Sequence, residues 1–90
     1  MKHSISDKKK LITRINRIKG QLAALSTAVE AEDDCYKVMQ LLASCRGAMN
    51  GLMTDIVNSH IKDHVVKAAT KQDASDAGDE LIEILGSFLK

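Results

Sequence analysis

The stretch LITRINRIKGQLAALSTAV, residues 11–29, decides the fold. Its apolar side chains alternate in steps of four and three residues, which places them on one face of an α-helix. Ser4 or Ser6 can cap the start of this helix, and Asp7 lies near its positive end. We therefore predict helix 1 from about residue 6 to about residue 29. Its apolar face is formed by Leu11, Ile15, Ile18, Leu22, Leu25 and Val29.

A second and longer apolar pattern follows the acidic stretch EAEDDC, residues 30–35. Asp33 or Asp34 is suited to cap a helix that begins there, and the pattern continues to about Val66. The predicted helix 2 has ~33 residues and would be near ~50 Å long. A chain of 90 residues cannot bury such a helix alone, so we predict that it packs against a second copy. The face begins with Leu42, Cys45, Met49, Leu52 and Ile56.

The end of the chain predicts one more helix. The polar stretch KQDASDAGD, residues 71–79, is interpreted as a break. A composition without proline, with one Phe and one Tyr, favours helices over a β fold. We predict an all-α fold with a single domain over residues 1–90, in which helices 1 and 2 form an antiparallel hairpin. The short amphipathic helix 3 carries Leu81, Ile82, Leu85, Phe88 and Leu89.

Several classes of protein do not fit this sequence. No apolar run approaches the ~20 residues of a membrane span. The start MKHSISDKKK lacks the apolar core of a signal peptide, so we expect a cytoplasmic protein with two reduced cysteines. There is no glycine-rich phosphate loop, and Ile61 follows His60 where a zinc hydrolase of the H-E-x-x-H type needs glutamate. An enzyme is therefore not expected.

The charge is unevenly distributed. Residues 1–20 hold seven basic side chains and one acidic one, whereas the other 70 residues hold six and eleven. This predicts a polyanionic partner for the basic end, although a solvated lysine cluster is the plainer alternative. On helix 1, a ridge of polar side chains is formed by residues that each precede a residue of the apolar face by one position. No aromatic residues are interleaved with this ridge, so it fits the phosphate backbone of duplex DNA better than unpaired bases. The candidate DNA contacts are Arg14, Arg17, Lys10, Lys8, Lys19 and, on helix 2, Arg46, which can instead be ion-paired.

Histidine and cysteine positions predict a metal site. His60 and His64 are four residues apart and share a helix face. Cys35 lies 25 residues from His60 on the same predicted helix, about 37 Å away, so it can join them only from an antiparallel second subunit. In the hairpin, residue i lies beside residue 64 − i, which brings His3 close to His60. Each residue also has a plain alternative, as a solvated imidazole or an inert thiol, and Cys45 fits a buried apolar role.

Two motifs carry a resemblance to a known family. RIKGQ at residues 17–21 and RGAMNGLM at 46–53 resemble the signatures of the CsoR/RcnR family of bacterial metal-sensing repressors. The length and the helix order match as well. The resemblance implies antiparallel dimers that pair into tetramers, binding to double-stranded operator DNA, and release from DNA when an effector binds.

The ligand set of the resembled family separates its branches. Copper sensors have Cys, His and Cys where this chain has Cys35, His60 and His64, whereas nickel and cobalt sensors have Cys, His and His with a further His at position 3. Three imidazoles and one thiolate suit Ni(II), Co(II) or Zn(II) better than Cu(I). We expect a repressor released by Ni(II) or Co(II), with Zn(II) possible as effector. The alternatives are a formaldehyde-, zinc- or copper-responsive repressor on the same scaffold and a purely structural helical oligomer.

Overall fold

The computed structural model describes residues 8–90, and no strand occurs within that range. The elements in chain order are α1 (Lys8–Glu30), α2 (Cys35–His60), a π-helix (Ile61–Val66) and α3 (Lys71–Phe88). The prediction of an all-α chain with three helical segments is confirmed. None of the described helices is long and apolar enough to cross a membrane. The chain divides into two compact units, which are Lys8–Thr54 and Asp55–Lys90 within the described range.

The turn between α1 and α2 is closed by backbone hydrogen bonds. Glu32 adopts a left-handed conformation with φ of 54°. Its N–H donates to the carbonyl of Val29 at 3.1 Å, and the N–H of Asp33 donates to the carbonyl of Ala28 at 3.0 Å, which is the Schellman pattern of a helix end. Asp34 then caps α2, because its Oδ1 accepts from the N–H of Lys37 at 2.9 Å. Of the two predicted caps, Asp34 is the one used.

Side-chain contacts fix the pairing of α1 with α2 inside the Lys8–Thr54 unit. Nε2 of Gln21 donates to Oγ of Ser44 at 3.2 Å. Arg14 lies over Gly51, where an added Cβ would overlap its Nη1. In both pairs residue i lies beside residue 65 − i, which agrees with the predicted antiparallel pairing to within one residue.

The buried face of the hairpin differs from the predicted one. Leu11, Ile18 and Cys45 are buried, as expected. Leu22 and Val29, however, are 49% and 56% exposed. The residues one position earlier take their place, since Gln21 reaches α2 and Ala28 is buried. Leu42 and Met49, in the predicted face of helix 2, are also more than half exposed.

The second unit begins with a change of helix type. Predicted helix 2 ends at about Val66, and the structure is helical to that residue, but α2 gives way after His60 to a π-helix. At its end the N–H of Lys67 donates to the carbonyl of Lys62 at 3.2 Å, five residues back. The predicted extent of helix 2 to about Val66 is confirmed, but the change of helix type was not predicted, because apolar spacing does not distinguish four-residue from five-residue hydrogen bonding.

The polar stretch 71–79 is not a break, and helix 3 is not short. It forms the first half of α3, which begins after Thr70. Oγ1 of Thr70 accepts from the N–H of Asp73 at 3.0 Å, and Nε2 of Gln72 donates to Oδ1 of Asp76 at 2.8 Å. The stretch is polar because most of its side chains face solvent, while Ala77 within it is buried. The π-helix and α3 pack together in this unit.

Candidate metal centre and basic surface

The two predicted histidine ligands of this unit lie side by side. The ring centroids of His60 and His64 are 5.3 Å apart, with the ring planes tilted by 47°. Both side chains are half-buried. A metal ion held about 2.0–2.1 Å from one nitrogen of each imidazole would bring two ring centres to roughly 5 Å. The centroid separation of the observed pair is therefore compatible with ligation of one ion by both rings.

A hydrogen bond to α3 assigns the proton on His60. Its Nε2 lies 2.9 Å from the backbone oxygen of Ala77. A carbonyl oxygen only accepts, so Nε2 carries the hydrogen and Nδ1 keeps its lone pair in the neutral ring. Metal-bound histidines characteristically donate their second N–H to a carbonyl or carboxylate, which fixes the ring orientation. The amino-acid sequence does not indicate Ala77 as this partner, because the contact is made by its backbone oxygen and not by its side chain.

A cavity of about 330 Å³ opens beside the histidine pair. Both rings line it, and four carboxylates from the π-helix and α3 complete much of its wall. Lys67 also lines the cavity, but the carboxylates outnumber it, and the net negative charge attracts cations. The carboxylates belong to Asp63, Asp73, Asp76 and Glu80.

The described part of the chain brings together only some of the predicted metal ligands. Within residues 8–90, no three or more His, Cys, Asp or Glu side chains are grouped so that they could hold an ion. Cys35 is exposed at the start of α2, and His60 is the last residue of the same helix. Cys45 is buried, in agreement with its expected apolar role. His3 lies outside the described residues. Of the four predicted ligands, the structure brings together His60 and His64.

The predicted DNA contacts are divided between solvent and the hairpin. Arg14 and Gln21 are half-buried and lie against α2 at Gly51 and Ser44, and Arg14 stays a predicted DNA contact. Each of them lies three residues after a buried apolar side chain, Leu11 or Ile18, on the side of α1 that faces α2. The candidate contacts that remain exposed are Lys8, Lys10, Arg17, Lys19 and Arg46.

Comparisons with known proteins agree on one family. The model of the family described as metal-sensitive transcriptional repressor matches residues 7–87. The transcriptional repressor RcnR of Citrobacter koseri is 34% identical over the full length of both chains. A variant of the formaldehyde-responsive regulator FrmR from Salmonella enterica serovar Typhimurium has a TM-score of 0.86 and 39% identity, covering 97% of this chain and 99% of its own. The nickel-responsive transcriptional regulator InrS has a TM-score of 0.76 and 28% identity, covering 98% and 99%.

Proposed function

The chain belongs to the CsoR/RcnR family of metal-sensitive transcriptional repressors, which are not enzymes, and from this premise we propose that its effector is Ni(II) or Co(II). The metal-free protein binds double-stranded operator DNA in the cytoplasm and represses a metal-efflux gene. Binding of the metal favours the state that has low affinity for DNA, and the gene is expressed.

The observation that carries this proposal is the histidine pair held by α3. The ring centroids of His60 and His64 are 5.3 Å apart, a separation that one bound ion could bridge, and the carbonyl of Ala77 orients the ring of His60. We assign the remaining ligands to His3 of the same chain and Cys35 of a second subunit. Ni(II) or Co(II), when bound, links these nitrogen and sulfur donors in one coordination sphere, and water or backbone donors can complete six-coordination. The same four donors would satisfy tetrahedral Zn(II).

A second copy is also supported by the exposed apolar surface of the Lys8–Thr54 unit. An isolated 90-residue monomer rarely leaves so many large apolar side chains in contact with water. We propose an antiparallel dimer that pairs into a tetramer, and expect sedimentation to give at least a dimer mass at micromolar concentration. A monomer mass would contradict the shared site. The exposed side chains are Ile12, Leu22, Val29, Tyr36, Met39, Leu42 and Met49.

Absorption spectroscopy tests the ligand set. Titration of the metal-free protein with Co(II) or Ni(II) should produce a thiolate-to-metal charge-transfer band. Cys35→Ala should abolish the band, whereas Cys45→Ala should retain it, because Cys45 is buried in the hairpin and Cys35 is exposed. A band that survives Cys35→Ala but not Cys45→Ala would refute the assignment.

The effect on DNA tests the proposed mechanism. The duplex is the intergenic region beside the gene for this chain, and a scrambled duplex of equal length is the control. Saturating Ni(II) or Co(II) should weaken specific binding by roughly 5- to 150-fold, the usual size of coupling between two sites. Unchanged affinity in the presence of tightly bound metal would show that neither ion is the effector.

A reactive-aldehyde sensor is the second candidate. Its support is the exposed thiol of Cys35 and the similarity to a formaldehyde-responsive regulator. In this case formaldehyde should release the protein from DNA and add mass to the peptide that contains Cys35. Release by metal with no response to formaldehyde favours the first proposal.

A further inference from the structure

Gly51 differs from the other glycines of the described chain. A Cβ added at Gly51 would overlap Nη1 of Arg14 and stand 3.6 Å from its Cζ. A Cβ added at any of the other four glycines would meet nothing within 4 Å. The missing side chain of Gly51 therefore provides the space in which the guanidinium of Arg14 lies against α2. The other four are Gly20, Gly47, Gly78 and Gly86.

Backbone conformation does not explain this glycine. No described glycine has a positive φ, and Gly51 lies inside the regular helix α2. Alanine is more favourable than glycine at such a position, since it restricts the unfolded chain and shields the helix backbone. Alanine at position 51 would therefore favour the helix locally, but its Cβ would occupy space that the Arg14 side chain fills.

We propose that Gly51 is a positioning residue for Arg14, which it holds across the hairpin so that the guanidinium is ordered before DNA arrives. Arg14 remains half-exposed, and its guanidinium carries five N–H donors in the planar arrangement that suits a phosphate. Ordering a long side chain in advance lowers the entropy lost on binding. This inference rests on the proposed DNA-binding function and adds a residue that the charge pattern does not indicate.

Thermal unfolding tests the contact without DNA. Gly47→Ala is the matched control, because Gly47 lies one turn earlier on α2 and its added Cβ meets nothing. In the natural background, Gly51→Ala should raise the melting temperature less than Gly47→Ala. In an Arg14→Ala background the two substitutions should raise it equally. Equal gains in both backgrounds would overturn the proposal.

DNA binding tests the positioning role. Fluorescence anisotropy would compare the metal-free variants on the duplex of the neighbouring intergenic region at fixed salt. Gly51→Ala should bind about three- to ten-fold more weakly than Gly47→Ala, the effect of immobilising one long side chain. With Arg14→Ala present, the two glycine variants should bind alike. An unchanged or higher affinity of Gly51→Ala would overturn the positioning role.

The outcomes separate the two proposals. If the unsubstituted protein binds neither the intergenic nor the scrambled duplex, the proposed DNA-binding function fails and the positioning role fails with it. If the unsubstituted protein binds the duplex and Gly51→Ala binds as tightly as Gly47→Ala, only the inference about Gly51 fails.

Discussion

The two units of the chain carry opposite charge. Residues 8–54 contain eight basic and four acidic side chains, whereas residues 55–90 contain four basic and seven acidic ones. The first unit holds the candidate contacts to a polyanion, and the second holds the histidine pair and a cavity lined by carboxylates. A net charge of +1 for the whole chain conceals this division. The difference agrees with the proposal that an anionic and a cationic ligand bind to different parts of one small protein.

The units also differ in their backbone. α1 and the part of α2 in the first unit are regular α-helix, closed by a Schellman turn and a capping aspartate. The second unit contains a π-helix, and His64 lies within it. π-Helical turns frequently mark functional sites, where the wider turn repositions side chains. In a metal sensor the binding energy must bias a structural equilibrium that the DNA-binding unit shares.

The largest effect is expected at His64. His64→Ala should lower affinity for Ni(II) or Co(II) by roughly 100-fold or more, since changes to groups that only orient a ligand already cost about 10- to 100-fold. Competition with a chelator would measure it, and binding of the metal-free variant to DNA should persist. Lys62→Ala is the control, because Lys62 is on the same π-helix but does not line the cavity. Equal losses in both variants would show that the comparison between the units does not hold.

The next effect concerns His3, which precedes the basic helix α1. His3→Ala should retain substantial metal binding but lose much of the roughly 5- to 150-fold effect of metal on DNA affinity. The physical reason is that a metal bound to His3 would tie the start of the basic helix to the histidines of the second unit. DNA affinity with and without saturating Ni(II) measures this coupling. If metal weakens DNA binding equally in the natural protein and the variant, His3 has no part in the coupling.

A smaller effect is expected on the basic unit itself. Arg17→Ala should weaken duplex binding and lower the slope of log affinity against log salt by about 0.9, the value for one lost phosphate contact. Metal affinity should not change. Lys37→Ala is the matched control, because Lys37 is also exposed but pairs with Asp33 at 3.3 Å. A salt slope that falls equally in both variants would mean that only total charge matters.

The sequence predicted the regular parts of the molecule better than the irregular ones. Apolar spacing and the capping aspartates predicted the α1–α2 hairpin and its pairing, because these features follow from the period of the α-helix. The same reasoning missed the π-helix and interpreted residues 71–79 as a break. It did not predict that Arg14 lies against Gly51, because a spacing pattern does not show which neighbouring helix residue a long side chain contacts. It also missed Ala77, whose contribution to the candidate site comes from the backbone.

The smallest effect is expected at the start of α3, and it tests whether the second unit opens independently of the first. Thr70→Ala removes the side-chain oxygen that accepts from the N–H of Asp73, and loss of such a cap costs about 1 kcal/mol. Hydrogen exchange of the α3 amides should therefore be about five-fold faster where α3 opens locally, because about 1 kcal/mol corresponds to that factor. Thr54→Ala is the control, since the hydroxyl of Thr54 only donates to the carbonyl of Asn50 within an exposed turn of α2. Faster exchange throughout α1 in Thr70→Ala would show that the two units unfold together. Faster exchange confined to residues 61–88 would show that the second unit opens on its own.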